Sequence, residues 1–162
     1  MFTIRREQAG DEAAIADVVT RAFGQAEEAR LTARLRTDGD AVVSLVAEED
    51  GTIVGHVLLS IMSGPFRALG LAPLSVAPER QKEGIGAALV RAALDAARSA
   101  GWEAVFVVGE PGYYRRFGFS AELASGFQSP CAGPYLMGVA LTGELPAASG
   151  RIGYAPAFDE LA

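Results

Sequence analysis

The chain has 162 residues, half of them hydrophobic and a fifth charged, which fits one globular domain over residues 1–162. Lys and Arg number 14 against 20 Asp and Glu; the net charge of −6 argues against a nucleic-acid or anionic-membrane partner. One cysteine, Cys131, excludes an internal disulfide, and with a single histidine, His56, no zinc cluster can be built, so no metal is expected.

The opening residues Met1–Arg6 run straight into a polar segment, so no signal peptide is read. No apolar run approaches the ~20 residues of a membrane span, and a soluble cytoplasmic protein is the expectation. Residues 2–7 alternate as a first strand. Asp11 stands as an N-cap before Ile15, Val18, Val19 and Ala22, whose spacing predicts an amphipathic helix over 11–23. A second helix is expected over 25–37, with Ala29, Leu31 and Leu35 inward. Two β-rich runs over 41–62 flank Asp50-Gly51, a strong hairpin signal.

The apolar run 69–76 is the next strand, with Pro73 predicting a bulge. An Ala- and Leu-rich helix over 84–100 stops at Gly101. Residues 103–108 read as a short buried strand, and 111–117 as one or two helical turns with Pro111 first. A loop at 124–134, a last strand at 135–141 and a Gly/Pro/Ala tail anchored by Tyr154 and Phe158 complete the chain. The expected fold class is α/β, one mixed sheet with flanking helices and a right-handed βαβ unit over 69–108.

The informative stretch is Val76–Val90, where Pro, Arg, Gln, Lys and two glycines separate a strand from a helix. Free N–H groups at a helix start carry partial positive charge and bind phosphate, and Gly84 and Gly86 permit close backbone approach. Arg80, Gln81 and Lys82 add donors. Two glycines after a strand are weak evidence, and a plain connection remains open. A Walker A loop is excluded, because Ala87 and Ala88 follow Gly86 where Lys and Ser/Thr would be required. A dinucleotide fingerprint would need Gly or Ala at Leu89, and an acidic residue ending the next strand, where Glu103 instead begins it.

Gln81-x-x-Gly84-x-Gly86 resembles the pyrophosphate loop of the GNAT acyltransferase superfamily, and "YRRFGF", Tyr114 to Phe119, resembles its Tyr-x-x-x-Gly-Phe element. One helix and one strand separate the two motifs. "VGHVLLS", "GEPGYYRRFGF" and "YAPAFDEL" are similar to the YhbS-type branch of that superfamily. The resemblance implies a single GNAT-like domain, a mostly antiparallel sheet with a splayed parallel pair, and acetyl transfer from acetyl-CoA to an amine of a small molecule or peptide. It implies a pyrophosphate cradle at Gln81, Lys82, Glu83, Gly84, Ile85, Gly86 and Ala87. Pantetheine is expected to pair with the edge at Leu74 and Val76, the backbone N–H of Val76 to serve the oxyanion, and Tyr114 to act as general acid at the sulfur.

Tyr113 is the rival of Tyr114, about 100° away on a helix, and its bland reading is packing. Arg115 and Arg116 read as solvated, with one available to the CoA 3′-phosphate. No base is evident on the strand 69–76, since Ser75 is a poor one. Glu48, Glu49, His56, Glu27 and Glu28 are candidates, with His56 or Glu28 foremost, and a water chain is the alternative. Where family members carry an Asn before the Tyr helix, this chain has Glu110-Pro111, so Glu110 is the expected pantetheine contact. Cys131, in a Pro/Gly loop, reads as a plain small residue. A non-catalytic acyl-CoA-binding domain is the rival function, and a homodimer through the last strand or the tail is an open expectation.

Overall fold

The computed structural model describes residues 1–160; Leu161 of the terminal motif and Ala162 lie outside the described residues. The elements in chain order are β1 (Thr3–Arg6), α1 (Glu12–Phe23), α2 (Glu27–Thr37), β2 (Ala41–Glu49), β3 (Thr52–Met62), β4 (Ala68–Val76), α3 (Ile85–Ser99), β5 (Ala104–Val108), α4 (Pro111–Tyr114), α5 (Ala121–Ala124), β6 (Phe127–Gln128), β7 (Leu136–Ala140) and β8 (Gly150–Arg151). Short 3₁₀ turns at Pro78–Arg80, Arg115–Phe117 and Pro156–Glu160 link them.

Six strands form one sheet in the order β1-β2-β3-β4-β5-β7. All neighbours are antiparallel except β4 and β5. Asp50 (φ 52°) and Gly51 (φ 80°) take the left-handed turn that the hairpin β2–β3 requires. The parallel pair is brief, because Ala68, Leu69 and Gly70 match Ala104, Val105 and Phe106 and the ladder then ends. The remainder of β4, from Leu71 to Val76, stays paired to β3 alone. The register with β3 shifts between Val57↔Leu74 and Leu59↔Leu71, so that Ala72 and Pro73 of β4 stand opposite Leu58 alone, the bulge that the proline implied. The splayed pair is thus a consequence of β4 leaving β5 after three residue pairs.

Each face of the sheet is covered. α3 buries Ile85, Leu89, Val90, Ala93, Leu94 and Ala97 against Val57, Leu59, Leu71, Val105 and Val107. Its apolar positions recur at three and four residues, one stripe of a helix. On the opposite face α1 sets Ile15, Val18 and Val19 on Val46 and Ala77, and α2 sets Leu31 and Leu35 on Leu58. Phe66, Phe106 and Phe127 meet there with ring centroids 5.5–6.3 Å apart.

Two expectations need correction. Asp11 occupies the N-cap position of α1 but makes no cap bond; its carboxylate takes the Arg5 guanidinium at 2.8 Å and the Gln8 N–H at 2.6 Å. A two-donor contact with a cation outcompetes one helix amide. The loop expected at 124–134 is not wholly irregular: α5 ends at Ala124, and β6 pairs in parallel with β8 of the tail. The tail is therefore built into the fold, with Ala155, Ala157 and Phe158 packed beside α2.

Candidate active site

The β4–α3 connection is shaped by two left-handed residues, Lys82 (φ 66°) and Gly84 (φ 88°). Gly84 is the N-cap, and no side chain caps the helix. The first intrahelical bond runs from the Ala88 N–H to the Gly84 carbonyl at 3.0 Å. The N–H groups of Ile85, Gly86 and Ala87 therefore have no partner within α3. They open onto a cleft of about 460 Å³ that Leu74, Val76, Gln81, Lys82, Gly84, Ile85, Gly86 and Ala87 all line. Eight expected cofactor residues thus share one cavity. Glu83, Glu110 and Tyr114 do not line it. Glu83 takes Arg80 Nε at 3.0 Å, and Glu110 is exposed.

The strand edge facing this cleft follows from the ladder. The Ala77 N–H donates to the Val54 carbonyl of β3 at 2.9 Å. Successive residues of a strand turn their amides to opposite edges, so Ser75 shares the β3 edge while Leu74 and Val76 face the gap left by β5. The Val76 carbonyl accepts from Gln81 Nε2 at 3.2 Å. Arg80, Lys82 and Arg116 give the cleft a positive wall within an acidic protein. Arg80 is held by Glu49 at 3.1 Å and by Glu83, whereas Arg116 lies over the Tyr113 ring at 4.3 Å.

The two tyrosines divide. Tyr113 lines the cleft, and its hydroxyl stands 2.8 Å from where a Cβ on Gly86 would lie. Gly86 is thus small where Tyr113 crosses the helix start. Sequence reasoning assigned Tyr113 to packing; the missed signal was the adjacency of Gly86, visible only in three dimensions. Phe23 and Ala22, at the end of α1, also line the cleft and were not anticipated.

Tyr114 turns inward. Its ring lies against Phe119 at 5.7 Å and against Gly109, where a Cβ would come within 2.4 Å of it. Burial pushes the Tyr114 phenol up to about 12, with Tyr113 adding to the rise. It is fully protonated at neutral pH.

The two foremost base candidates do not line the cleft. His56 is fully buried on the α1–α2 face, with Nε2 2.8 Å from Ser44 Oγ and Nδ1 without a partner. Burial pushes its pKa down to about 4, outweighing the opposing pull of Glu7. Glu28 accepts from Gln25 Nε2 at 3.0 Å on the half-buried side of α2. Glu27 pairs with Arg30, Glu48 with Arg5, and Glu49 with Arg80 and the N-terminus. Ser75 is buried with its Oγ unpartnered. Among the described residues no helix is long and apolar enough to cross a membrane, and no group of three or more His, Cys, Asp and Glu could hold a metal.

Comparison with known proteins agrees with this geometry. Residues 9–119 match the acetyltransferase (GNAT) family model. The uncharacterized N-acetyltransferase YjhQ of Escherichia coli is 39% identical over 140 residues, covering 82% of this chain and 72% of its own length. A crystal structure of E. coli YhbS in complex with CoA superposes with a TM-score of 0.92 at 28% identity, over 99% of this chain and 93% of that one. A GNAT acetyltransferase from Brucella melitensis in complex with acetyl-CoA gives 0.82 at 35% identity, over 98% and 99%. The chain belongs to the GNAT family of N-acetyltransferases.

Proposed function

We propose that the whole chain, 1–162, acts as one domain that transfers acetyl from acetyl-CoA to a primary amine by direct attack within a ternary complex. The observation that carries this reading is the early end of the β4–β5 ladder. It leaves the amides of Leu74 and Val76 unpaired beside the open amides of Ile85, Gly86 and Ala87. The two relatives crystallised with CoA and acetyl-CoA support the donor.

The pyrophosphate takes the helix-start amides, with Gln81, Lys82 and Arg116 adding donors and charge. Pantetheine runs from there along the β4 edge, its amides replacing Gln81 at the Val76 carbonyl. The edge N–H groups of Val76 and of Leu74, two residues deeper, stand roughly 7 Å apart along the strand, so the developing oxyanion takes one of them and pantetheine the other. The amine lone pair attacks the thioester carbon, the N–C bond forms and the C–S bond breaks. Net, one proton passes from nitrogen to sulfur.

Tyr114 serves the sulfur in a particular way. A phenol at about 12 holds its proton roughly three units more tightly than a thiol. It therefore steadies the leaving thiolate as a hydrogen-bond donor, and the proton that finally reaches sulfur originates on the amine. With His56 enclosed and Glu28 tied to Gln25, water carries that proton.

The test is thermal unfolding with saturating acetyl-CoA, CoA and NAD in parallel. Ligand at ~100 times Kd adds about 2.7 kcal/mol, a rise of roughly 5–10 °C at this size. A rise with both CoA species and none with NAD is expected. No rise with either CoA species overturns the donor assignment.

A further inference from the structure

On the opposite face of the sheet a second cavity, of about 360 Å³, opens at the same splay. Ala72 of β4 and Val108 at the end of β5 both line it, so it straddles the gap between the two strands. Ala72 is two residues, roughly 7 Å along the strand, from Leu74 in the cleft described above. The remaining wall comes from distant chain segments: Cys131 in the 129–134 loop, then Tyr154 and Phe158 of the tail. The volume is of the order that holds one small molecule.

Two features point to a ligand. First, the Tyr154 hydroxyl is buried and has no hydrogen-bond partner among the described residues. A stranded buried hydroxyl is destabilising, and a Phe would remove that cost. The ring itself is well supported, lying 5.0 Å from Phe158 and flat enough on Gly70 that a Cβ there would come within 2.4 Å. The phenol is therefore fixed in place with its oxygen unused. Second, Val108 is 48% exposed, a large apolar side chain left open where the cavity begins. Among the described residues the one charged side chain in the lining is Asp159, which is exposed.

We propose that this cavity binds the acceptor and selects a monoamine carried on an apolar, aromatic-sized body, with Tyr154 Oη accepting a hydrogen bond from the attacking nitrogen. The inference rests on the acyl-transfer reading and adds the substrate class to it. An apolar body fills the space between Val108, Phe158 and Cys131. The amine end lies at Tyr154 and Ala72, next to the thioester held on the β4 edge. Apolar surroundings lower an amine's pKa by disfavouring its charged form. The pocket thus favours the neutral nucleophile; the carboxylate that lines it, Asp159, is exposed at the rim. A polyamine could set one distal ammonium on Asp159 at the rim, but any other would lie against Phe158 and Val108 without a partner, at high cost. Asp159 at the rim disfavours amines that carry a free carboxylate.

The experiment measures amine-dependent thiol release from acetyl-CoA with 2-phenylethylamine and spermidine, on the wild-type chain and two variants. The expected result is a kcat/KM at least tenfold higher for 2-phenylethylamine. Tyr154→Phe lowers that value tenfold or more while the unfolding temperature holds or rises and acetyl-CoA affinity stays within twofold. Cys131→Trp, placed in an exposed loop, raises the amine KM tenfold with acetyl-CoA affinity unchanged. A preference for spermidine, a chain that binds acetyl-CoA yet acetylates neither amine, or an unchanged Tyr154→Phe each overturns the proposal. Failure to bind acetyl-CoA at all contradicts the transfer reading itself, and this inference with it.

Discussion

Adjacent tyrosines at 113 and 114 look interchangeable in the sequence, yet the fold gives them different surroundings. Tyr114 was placed at the sulfur by its spacing to Gly118-Phe119, and the structure buries it against Gly109 and Phe119. Tyr113 was assigned to packing and instead stands in the cleft over Gly86. The 100° rotation between helix neighbours was legible; which of them meets the helix start was not, because that depends on how α4 sits on α3. His56 illustrates the same limit. Its residue type suggested a base, but a mid-strand position on the inner face encloses it with Ser44, Glu7 of the β1 edge and Arg36 of α2. This enclosure has a measurable consequence. The unfolded imidazole takes up a proton near 6.5, the folded one only near 4. Stability present above pH 6.5 is therefore lost as pH falls toward 4, by about 3 kcal/mol for a shift of this size. Glu7, held below the usual carboxylate range despite its burial by Arg36 and Ser44, extends the loss at the acid end. Unfolding followed from pH 7 to 4 should show the decline, and His56→Gln should flatten it. An equal slope in the variant contradicts the assignment.

Among the elements, those with a strong period were read nearly to their ends. The helix expected over 11–23 is Glu12–Phe23, and the hairpin over 41–62 is Ala41–Glu49 with Thr52–Met62. β6 and β8 escaped notice because each has two residues, too few to show alternation, and they pair across more than twenty residues of chain. The β4–α3 cleft was legible since most of its residues are contiguous and carry a glycine pattern. The second cavity was not, since its walls come from four separate segments. The β5–α4 junction sets the place of the Tyr114 ring through one small residue. Gly109 lets the Tyr114 ring lie against the backbone, and a methyl there would meet the ring at 2.4 Å. Gly109→Ala should displace the phenol and lower kcat roughly 10- to 100-fold, the worth of one hydrogen bond to a charged group, with acetyl-CoA affinity within threefold. Unchanged kcat would show that Tyr114 is not positioned by this contact.

Across the whole molecule, two cavities border the opening where β4 leaves β5, one on each side of the sheet. The donor cleft lies at the start of α3, the second cavity lies under the tail, and β4 departs from β5 between them. The sequence predicted such a splayed pair from its family resemblance, while the reason for it is local: three residue pairs of parallel ladder, then the bulged and proline-bearing half of β4 held by β3 alone. An overall charge of −6 gave no hint of the basic wall of the cleft, because Arg80, Lys82 and Arg116 are gathered from two segments by the fold. The central claim is that this opening carries acetyl from a thioester to an amine with Tyr114 at the leaving sulfur. The most direct measurement is single-turnover transfer of labelled acetyl from acetyl-CoA to 2-phenylethylamine by the wild-type chain and by Tyr114→Phe. The account predicts stoichiometric acetylamine with wild type and a rate about 10- to 100-fold lower in the variant, at equal acetyl-CoA affinity. Transfer by Tyr114→Phe at the wild-type rate, or bound acetyl-CoA that yields no acetylamine, would contradict it.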